Sequence, residues 1–239
     1  MDKTNDKVKH PAKYTDKFIP IFASYLNGFV WNEMNLKYPN VLDPFGGTGK
    51  LGEIKNFGYL GKVFCCEIEK EWASISEESP LVDVSIHGDS TNMDWAKDNS
   101  FSAICTSPVY GNRISDHFHP KDESHRITYR SYIGHDLHEN NSGRMNWGNK
   151  YRNLHEDVYA ECRRVLVDGG LFILNVSDHI RKGEIVPVSE WHKETLISLG
   201  FDVEKALEIE TPRNQFGANG SVRVGHENIF IFKLNKTRP

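Results

Sequence analysis

A glycine-rich turn follows the first predicted strand, over residues 43–52. Small residues let the backbone come close to a ligand, and the start of the following helix adds oriented N–H groups. Glu67 lies at the end of the next predicted strand, where a carboxylate can accept hydrogen bonds from both hydroxyls of a ribose. The pattern predicts a site for a cofactor that contains adenosine. The alternative is an ordinary glycine-rich turn beside a solvated Glu67.

Three cofactors compete for this turn. A Walker phosphate-binding loop does not fit, because Lys50 is followed by leucine and Pro44 stands where the first glycine is needed. An NAD-binding loop stays open, since three glycines match the G-x-G-x-x-G spacing: Gly47, Gly49 and Gly52. Asp43 favours S-adenosyl-L-methionine, because a carboxylate there can bind the ammonium of a methionine moiety and would repel a pyrophosphate.

Two more polar segments follow predicted strands. Asp89, followed by Ser90, can accept a hydrogen bond from an adenine amino group, or equally can cap a helix over residues 93–96. Residues 107–110 follow the fourth predicted strand, at the edge where open α/β sheets bind their ligands. Taken alone, this second segment is better explained as an ordinary strand-to-loop turn that contains proline.

Taken together, these motifs resemble those of the DNA amino-methyltransferases, which modify cytosine N4 or adenine N6. Residues 43–49 match the family's Asp-Pro-Phe-x-Gly-x-Gly, and residues 107–110 match its (Asp/Asn/Ser)-Pro-Pro-(Tyr/Phe) except at Val109. Residues 10–14 are similar to the family's His-Pro-Ala-x-Phe segment beside the cofactor, and residues 226–233 to its final edge strand. The resemblance covers most of the chain except residues 111–150.

The motifs and the resemblance imply two sets of site residues. Those expected to bind the cofactor are His10, Pro11, Ala12, Tyr14, Asp43, Pro44, Phe45, Gly46, Gly47, Thr48, Gly49, Glu67, Ile68, Asp89 and Ser90. Those expected to carry out catalysis are Ser107, Pro108, Val109 and Tyr110. We expect no metal, because His117 and His119 have no cysteine or carboxylate cage around them.

The chemistry of these residue types suits methylation of an exocyclic amine. The Ser107 hydroxyl and the Pro108 carbonyl can accept hydrogen bonds from the amino group, which directs its lone pair at the methyl donor, while Tyr110 stacks on the base. A base inside a duplex must be flipped out to reach such a pocket. In the family, serine at the first position favours cytosine N4 over adenine N6. Methylation of cytosine carbon 5 is excluded, because it needs a nucleophilic cysteine after proline and Cys105 lies inside a strand.

Residues 111–150 differ in character from the rest of the chain. They combine basic and aromatic residues without sustained periodicity, which suits contact with phosphates and bases. We expect this insertion and the loop at 211–225 to bind DNA through Arg113, Arg126, Arg130, Trp147 and Arg213. The alternatives are a solvated loop and an RNA substrate. The net charge of −4 gives no global sign of nucleic-acid binding.

Hydrophobic periodicity defines the elements that must position these motifs. It predicts helices near 14–34, 51–56, 70–76, 151–166 and 188–199, and strands near 41–43, 62–67, 81–87, 101–106, 171–176, 201–209 and 228–234. Their alternation predicts an α/β fold with a mostly parallel seven-stranded sheet, an antiparallel edge hairpin and helices on both faces. The resemblance implies that this is the Rossmann-like fold of class I methyltransferases.

Length and composition complete the expectations. We predict one domain over residues 1–239, with the target-recognition insertion at 111–150. No apolar run has the length of a membrane span, and residues 1–9 do not resemble a signal peptide, so we expect a cytoplasmic protein. The cysteines are expected to be buried free thiols. A nuclease partner and a homodimer both remain open.

Overall fold

A computed structural model describes residues 17–29, 39–111, 133–211 and 224–238. Seven strands form one sheet in the order β3-β2-β1-β4-β5-β9-β8. Their bounds are β1 Asn40–Asp43, β2 Lys62–Glu67, β3 Val84–His87, β4 Phe101–Thr106, β5 Leu166–Val176, β8 Phe201–Glu210 and β9 His226–Leu234. A separate two-stranded hairpin consists of β6 His179–Arg181 and β7 Glu184–Val186.

Strand direction changes only at one edge of the large sheet. The first five strands are parallel, and β9 runs antiparallel to both β5 and β8. The sequence prediction of a mostly parallel sheet with an antiparallel edge hairpin is therefore confirmed. The order also argues against the NAD alternative, because the dinucleotide-binding fold has six strands in the order 3-2-1-4-5-6 without this inserted antiparallel strand.

Within the described ranges, four α-helices and one 3-10 helix cover the two faces of the sheet, and a second, short 3-10 helix, Ser142–Arg144, lies away from them beside the cavity described below. The α-helices are α1 Phe18–Gly28, α2 Lys70–Glu77, α3 Asn149–Val165 and α4 Val188–Ser198, and the 3-10 helix is Lys50–Phe57. In α1 the apolar residues recur at helical spacing, so one face is buried against the sheet with the 3-10 helix, while α3 and α4 pack on the opposite face. Each fully buried leucine, isoleucine or phenylalanine in these layers contributes about 1.5–3 kcal/mol.

Alternation along the central strands explains why both faces are covered. In β4, Ala103 and Cys105 face the α1 layer, whereas Ile104 faces the α3 layer, and every residue of the strand is buried. All four cysteines are buried free thiols, as predicted. Burial raises the pKa of Cys105 well above its ordinary value, which agrees with excluding it as a nucleophile.

Several predicted elements differ from those observed. Residues 93–96 contain a turn and not the helix that Asp89 could have capped, and the Met93 N–H donates to Glu161 in α3 (2.7 Å). The third strand begins at Val84 instead of residue 81, and β5 begins earlier, at Leu166. The β6–β7 hairpin was not predicted. It turns at Lys182 and Gly183, which both have positive φ.

No helix in the ranges given above is both long enough and apolar enough to span a bilayer.

Candidate active site

A cavity of about 260 Å³ lies at the carboxyl ends of the parallel strands. It is lined by residues 44–48 of the glycine-rich turn, by Glu67 and Ile68 after β2, by residues 88–90 after β3, and by residues 107–110 after β4. Segments far apart in the sequence therefore meet at one edge of the sheet, where open α/β folds bind ligands. The two predicted functions, cofactor binding and catalysis, share one cavity.

The glycines of the turn are required by close packing and backbone conformation. A Cβ at Gly46 would lie 2.7 Å from the Cβ of Cys65 on the neighbouring strand. Gly47 and Gly49 have φ of 51° and 77°, in the left-handed region that favours glycine. Gly49 precedes the 3-10 helix and does not line the cavity. The turn is thus shaped by its contacts with β2.

Asp43 lies beneath this turn and does not line the cavity. Its side chain is fully buried, and Oδ1 accepts hydrogen bonds from the Phe45 N–H (3.0 Å) and from the Thr106 hydroxyl (2.6 Å). The carboxylate therefore joins the glycine-rich turn to the end of β4. Its predicted contact with a methionine ammonium stays a prediction, and the observed contacts give it a role in holding the turn.

Glu67 connects the turn to the end of β2. One carboxylate oxygen accepts from the Gly47 N–H (2.8 Å) and the other from the Glu69 N–H (2.8 Å). Burial raises the pKa of Glu67 to about 7, and the neighbouring carboxylates of Glu69 and Asp43 act in the same direction. Each oxygen keeps a second lone pair, so the carboxylate can still accept hydrogen bonds from ribose hydroxyls.

Asp89 and Ser90 line the cavity as predicted, and Asp89 also caps a turn. Its Oδ1 accepts from the N–H and hydroxyl of Thr91, and Oδ2 accepts from Asn140 Nδ2 (2.8 Å). Burial disfavours the ionised form, but these hydrogen bonds outweigh it, so the pKa of Asp89 is lowered. The Ser90 hydroxyl donates to the Pro44 carbonyl (2.7 Å). Asp89 therefore caps a turn and not the helix that the sequence also allowed, and its contact with an adenine amino group stays a prediction.

The end of the predicted insertion lines the cavity as well. Residues 140–142 lie along it, and the buried Glu69 holds them by accepting from the His138 N–H (2.7 Å) and from Asn141 Nδ2 (2.8 Å). No pattern in the sequence indicates this contact, since Glu69 is one of several charged residues that follow Glu67. Part of the predicted insertion therefore lines the cavity in which we expect the cofactor to bind.

The predicted nucleic-acid contacts are only partly described. Trp147 is half-buried, and its ring packs against Tyr151 and Trp191 at centroid distances of 5.5 and 5.6 Å. These contacts give it a packing role, and its contact with a base stays a prediction. The remaining predicted residues lie outside the described ranges: His10, Pro11, Ala12, Tyr14, Arg113, Arg126, Arg130 and Arg213.

Two further residues, Asn175 and Glu227, line the cavity beside residues 107–110. Neither was assigned to the site from the sequence. Glu227, at the start of β9, accepts hydrogen bonds through Oε2 from the Tyr110 hydroxyl (2.9 Å) and from Asn175 Nδ2 (2.8 Å). Asn175 Nδ2 also lies 3.1 Å from Ser107 Oγ. The signal for Asn175 was an amide inside the apolar run 171–176, and Glu227 was noted only as part of the edge-strand resemblance.

A buried polar chain supports the loop that contains Val109. The Tyr151 hydroxyl donates to the Val109 carbonyl (2.6 Å) and contacts His192 Nε2 (2.9 Å), while the Tyr159 hydroxyl contacts His192 Nδ1 (2.8 Å). Burial lowers the pKa of His192 well below its ordinary value, so the ring is neutral. A neutral ring fits one pattern, in which Nε2–H donates to Tyr151 and Nδ1 accepts from Tyr159. This chain anchors the position where the resembling family has a second proline.

The cavity is acidic. Glu67, Asp89 and Glu227 line it, and Lys50 is the one basic residue among the described lining residues and pairs with Glu53. Carboxylates in such a low-dielectric site favour a cationic ligand and oppose a pyrophosphate. Within the described ranges, no three histidine, cysteine or carboxylate side chains are grouped so that they could hold a metal ion.

No protein-family model and no curated protein sequence matches the chain. Solved structures match in fold. A S-adenosylmethionine-dependent methyltransferase from Methanosarcina mazei aligns with a TM-score of 0.53 at 12% identity, over 87% of this chain and 98% of that one. A putative sarcosine dimethylglycine methyltransferase from Galdieria sulphuraria aligns with a TM-score of 0.52 at 12% identity, over 90% and 86%.

The chain has the fold of these methyltransferases. The predicted Rossmann-like methyltransferase fold is therefore confirmed. The [4+2]-cyclase SpnF also shares it, with a TM-score of 0.54 at 12% identity over 90% of this chain and 80% of that one. Because one methyltransferase fold carries different chemistries, the activity of this chain has to be argued from its own site.

Proposed function

We propose that this chain is an S-adenosylmethionine-dependent methyltransferase that modifies an exocyclic amino nitrogen of a base in DNA, with cytosine N4 favoured. The observation that carries the proposal is the single cavity lined both by the glycine-rich turn and by residues 107–110. A donor and an acceptor bound in that one cavity would be adjacent, and such proximity is the main requirement of a direct displacement.

The cofactor end of the cavity fits S-adenosylmethionine in shape and charge. The glycine backbone leaves room beside β2, Glu67 offers lone pairs to a ribose, and Asp89 lies where an adenine amino group would be read. The acidic lining favours the cationic sulfonium, and the fold neighbour from Methanosarcina mazei is an S-adenosylmethionine-dependent methyltransferase. When bound, the cofactor supplies an electrophilic methyl group.

The acceptor end fits a planar amine. Ser107 and Pro108 both line the cavity directly after β4, and the hydroxyl of the first and the carbonyl of the second are the proposed acceptors for the hydrogens of one amino group. The Tyr110 ring offers a surface for stacking. The lone pair of an exocyclic amine is delocalised into the base, which makes the nitrogen a poor nucleophile. Acceptors that hold the two N–H groups turn the amino group so that its lone pair leaves the conjugated system and becomes more nucleophilic.

DNA is proposed as the substrate on the strength of the motifs. Residues 43–49 and 107–110 resemble those of DNA amino-methyltransferases, and the first motif position is serine, which in that family favours cytosine. A base would have to be flipped out of the duplex to enter the cavity. Arg113, Arg126, Arg130, Trp147 and Arg213 are the proposed contacts to the nucleic acid.

Mass spectrometry of nucleosides tests this proposal directly. The protein is incubated with S-adenosylmethionine and unmethylated plasmid DNA, and in parallel with total RNA. We expect N4-methyldeoxycytidine from the DNA. N6-methyldeoxyadenosine would correct the base, a methylated ribonucleoside would correct the substrate, and no gain of mass in either polymer would overturn the function.

The pH dependence of cofactor binding provides a second test. The pKa of Glu67 is raised to about 7 by burial, so the carboxylate that would accept ribose hydroxyls is mostly protonated at pH 6 and mostly ionised at pH 8. We expect S-adenosylhomocysteine to bind about tenfold more tightly at pH 8 than at pH 6, measured by calorimetry. The stability of the unliganded protein changes with pH in the opposite direction to ligand binding. Because the pKa of Glu67 is raised in the folded state, its protonated form stabilises the fold at low pH, and this contribution is lost as the pH rises through about 7.

Glu67→Gln is the matched control for this pH effect. Glutamine keeps the shape and a carbonyl acceptor but does not titrate, so the ratio of the two affinities removes any titration of the ligand itself. A wild-type profile that runs parallel to that of Glu67→Gln would show that Glu67 does not titrate in contact with the ligand.

A further inference from the structure

The catalytic end of the cavity holds four side chains in one hydrogen-bonded cluster: Ser107, Tyr110, Asn175 and Glu227. Resting on the proposed function, we propose that Glu227 takes up the proton that the acceptor nitrogen loses, through the hydroxyls of Ser107 and Tyr110. Asn175 holds the three groups in line. Asn175 lies in none of the motifs that resemble the amino-methyltransferases. Glu227 lies only in the segment 226–233, which resembles their final edge strand and was given no catalytic role.

Donor and acceptor requirements give the cluster a direction. Tyr110 has one hydroxyl proton, and it donates to Glu227 Oε2 at 2.9 Å. In the contact of 3.3 Å between Ser107 Oγ and the Tyr110 oxygen, Ser107 must then be the donor. The protons therefore point from Ser107 to Tyr110 to Glu227, and the Ser107 oxygen keeps a lone pair for an incoming N–H.

Asn175, near the end of β5, holds the other three side chains of the cluster in position through its amide nitrogen. Its amide is almost fully buried in β5, and Nδ2 lies within 3.2 Å of Ser107 Oγ, the Tyr110 hydroxyl and Glu227 Oε2. The reverse orientation of the amide would bring its oxygen against the Glu227 carboxylate, which is unfavourable. The antiparallel pairing of β5 with β9 places Val176 opposite Asn228, so Glu227 is held beside the end of β5 by the sheet.

The reaction balances without any other reactant. The amino nitrogen forms a bond to the methyl carbon as the carbon–sulfur bond breaks, and the electron pair of that bond goes to sulfur. The nitrogen is then cationic and carries one proton too many. That proton moves to Ser107 Oγ as the Ser107 proton moves to Tyr110 and the Tyr110 proton moves to Glu227, so the carboxylate ends as a carboxylic acid.

Burial makes Glu227 suited to this task. Its side chain is only 5% exposed, so water does not compete freely for the proton at this end of the cavity. The carboxylate also lines the cavity, which keeps the final acceptor close to the reacting nitrogen. A positioned base with access to the developing charge contributes about 10²–10⁴-fold to rate.

The test compares Glu227→Gln with wild type, using tritiated S-adenosylmethionine and unmethylated plasmid DNA. We expect kcat to fall about 100-fold while KM for both substrates changes less than about threefold, because glutamine keeps the shape but accepts no proton. Tyr110→Phe interrupts the same relay while keeping the ring, so it should lower kcat by a similar factor. The double variant should lose no more than either single variant, since both changes break one chain.

Glu208→Gln is the control for removing a carboxylate in this region. Glu208 lies on the neighbouring β8, is 68% exposed and approaches His226 at 3.7 Å, so its loss should leave kcat unchanged. Wild-type kcat in Glu227→Gln would overturn the relay and leave the proposed function intact. A fall in melting temperature and in S-adenosylhomocysteine affinity that matches the fall in kcat would also overturn the relay. Glu227 would then only hold Tyr110 and Asn175 in position. No methylation by the wild-type protein would overturn both proposals.

Discussion

Asp43→Ala is expected to weaken binding of S-adenosylhomocysteine by at least about 100-fold, which corresponds to about 2.7 kcal/mol. Asp43 is fully buried beneath the glycine-rich turn, and its Oδ1 accepts from the Phe45 N–H and the Thr106 hydroxyl. Alanine leaves both donors buried without this acceptor, at a cost of about 1–3 kcal/mol each, so the turn should leave its position. Calorimetry and a ligand-induced shift in melting temperature measure the loss.

Asp43→Asn separates the role in holding the turn from the role of charge. Asparagine can still accept both hydrogen bonds through its oxygen, so binding should fall about tenfold if the negative charge also attracts the ammonium of the ligand. Asp83→Ala is the control for a lost backbone contact, because Asp83 accepts from the Val63 N–H outside the cavity. Near-normal ligand affinity in Asp43→Ala would contradict the role we assign to this carboxylate.

Ser107→Ala is expected to lower kcat about 10²–10³-fold with little change in KM for S-adenosylmethionine. The hydroxyl is the proposed acceptor for one amino N–H of the substrate, and it also receives Asn175 Nδ2 at 3.1 Å. Its loss removes an interaction that strengthens as the lone pair leaves the conjugated system. Single-turnover methylation of DNA measures the chemical step, separate from binding and product release.

Ser102→Ala is the matched control for this substitution. Ser102 is a buried serine on the same strand, at the end away from the cavity, so its replacement should leave the chemical step unchanged. If Ser107→Ala methylates DNA at the wild-type rate, the serine takes no part in the reaction. The acceptor would then have to bind through the Pro108 carbonyl and Tyr110 alone.

The fold and the site carry different amounts of information about activity. The same fold occurs in methyltransferases and in a [4+2]-cyclase, so the architecture alone does not select a reaction. In this chain the reaction is argued from residues 107–110 and from the two side chains, Asn175 and Glu227, that contact them. Asn175 near the end of β5 and Glu227 at the start of β9 reach these residues because β9 runs antiparallel to β5.

Sequence alone was enough to predict most strands and helices, because their signals are local. Continuous apolar runs such as 101–106 and helical spacing in α1 report burial directly. The turn at 43–49 was also predictable, since positive φ at Gly47 and close approach at Gly46 demand glycine. The helix that the sequence allowed over residues 93–96 does not form, because four residues offer about one turn, too little to offset the cost of helix nucleation.

The sequence by itself determined the composition of the site: which residues can hold a cofactor, and which short segment can hold an amine. Only the tertiary structure decided how these residues are connected. It joins Glu227 and Asn175 to Tyr110, turns Asp43 beneath the loop, and supports Val109 through Tyr151. The contacts of Tyr110 and Val109 join residues that are 42 to 117 positions apart, which no local pattern in the sequence indicates. The contact of Asp43 is local, but it depends on the orientation of its carboxylate, which the sequence does not indicate.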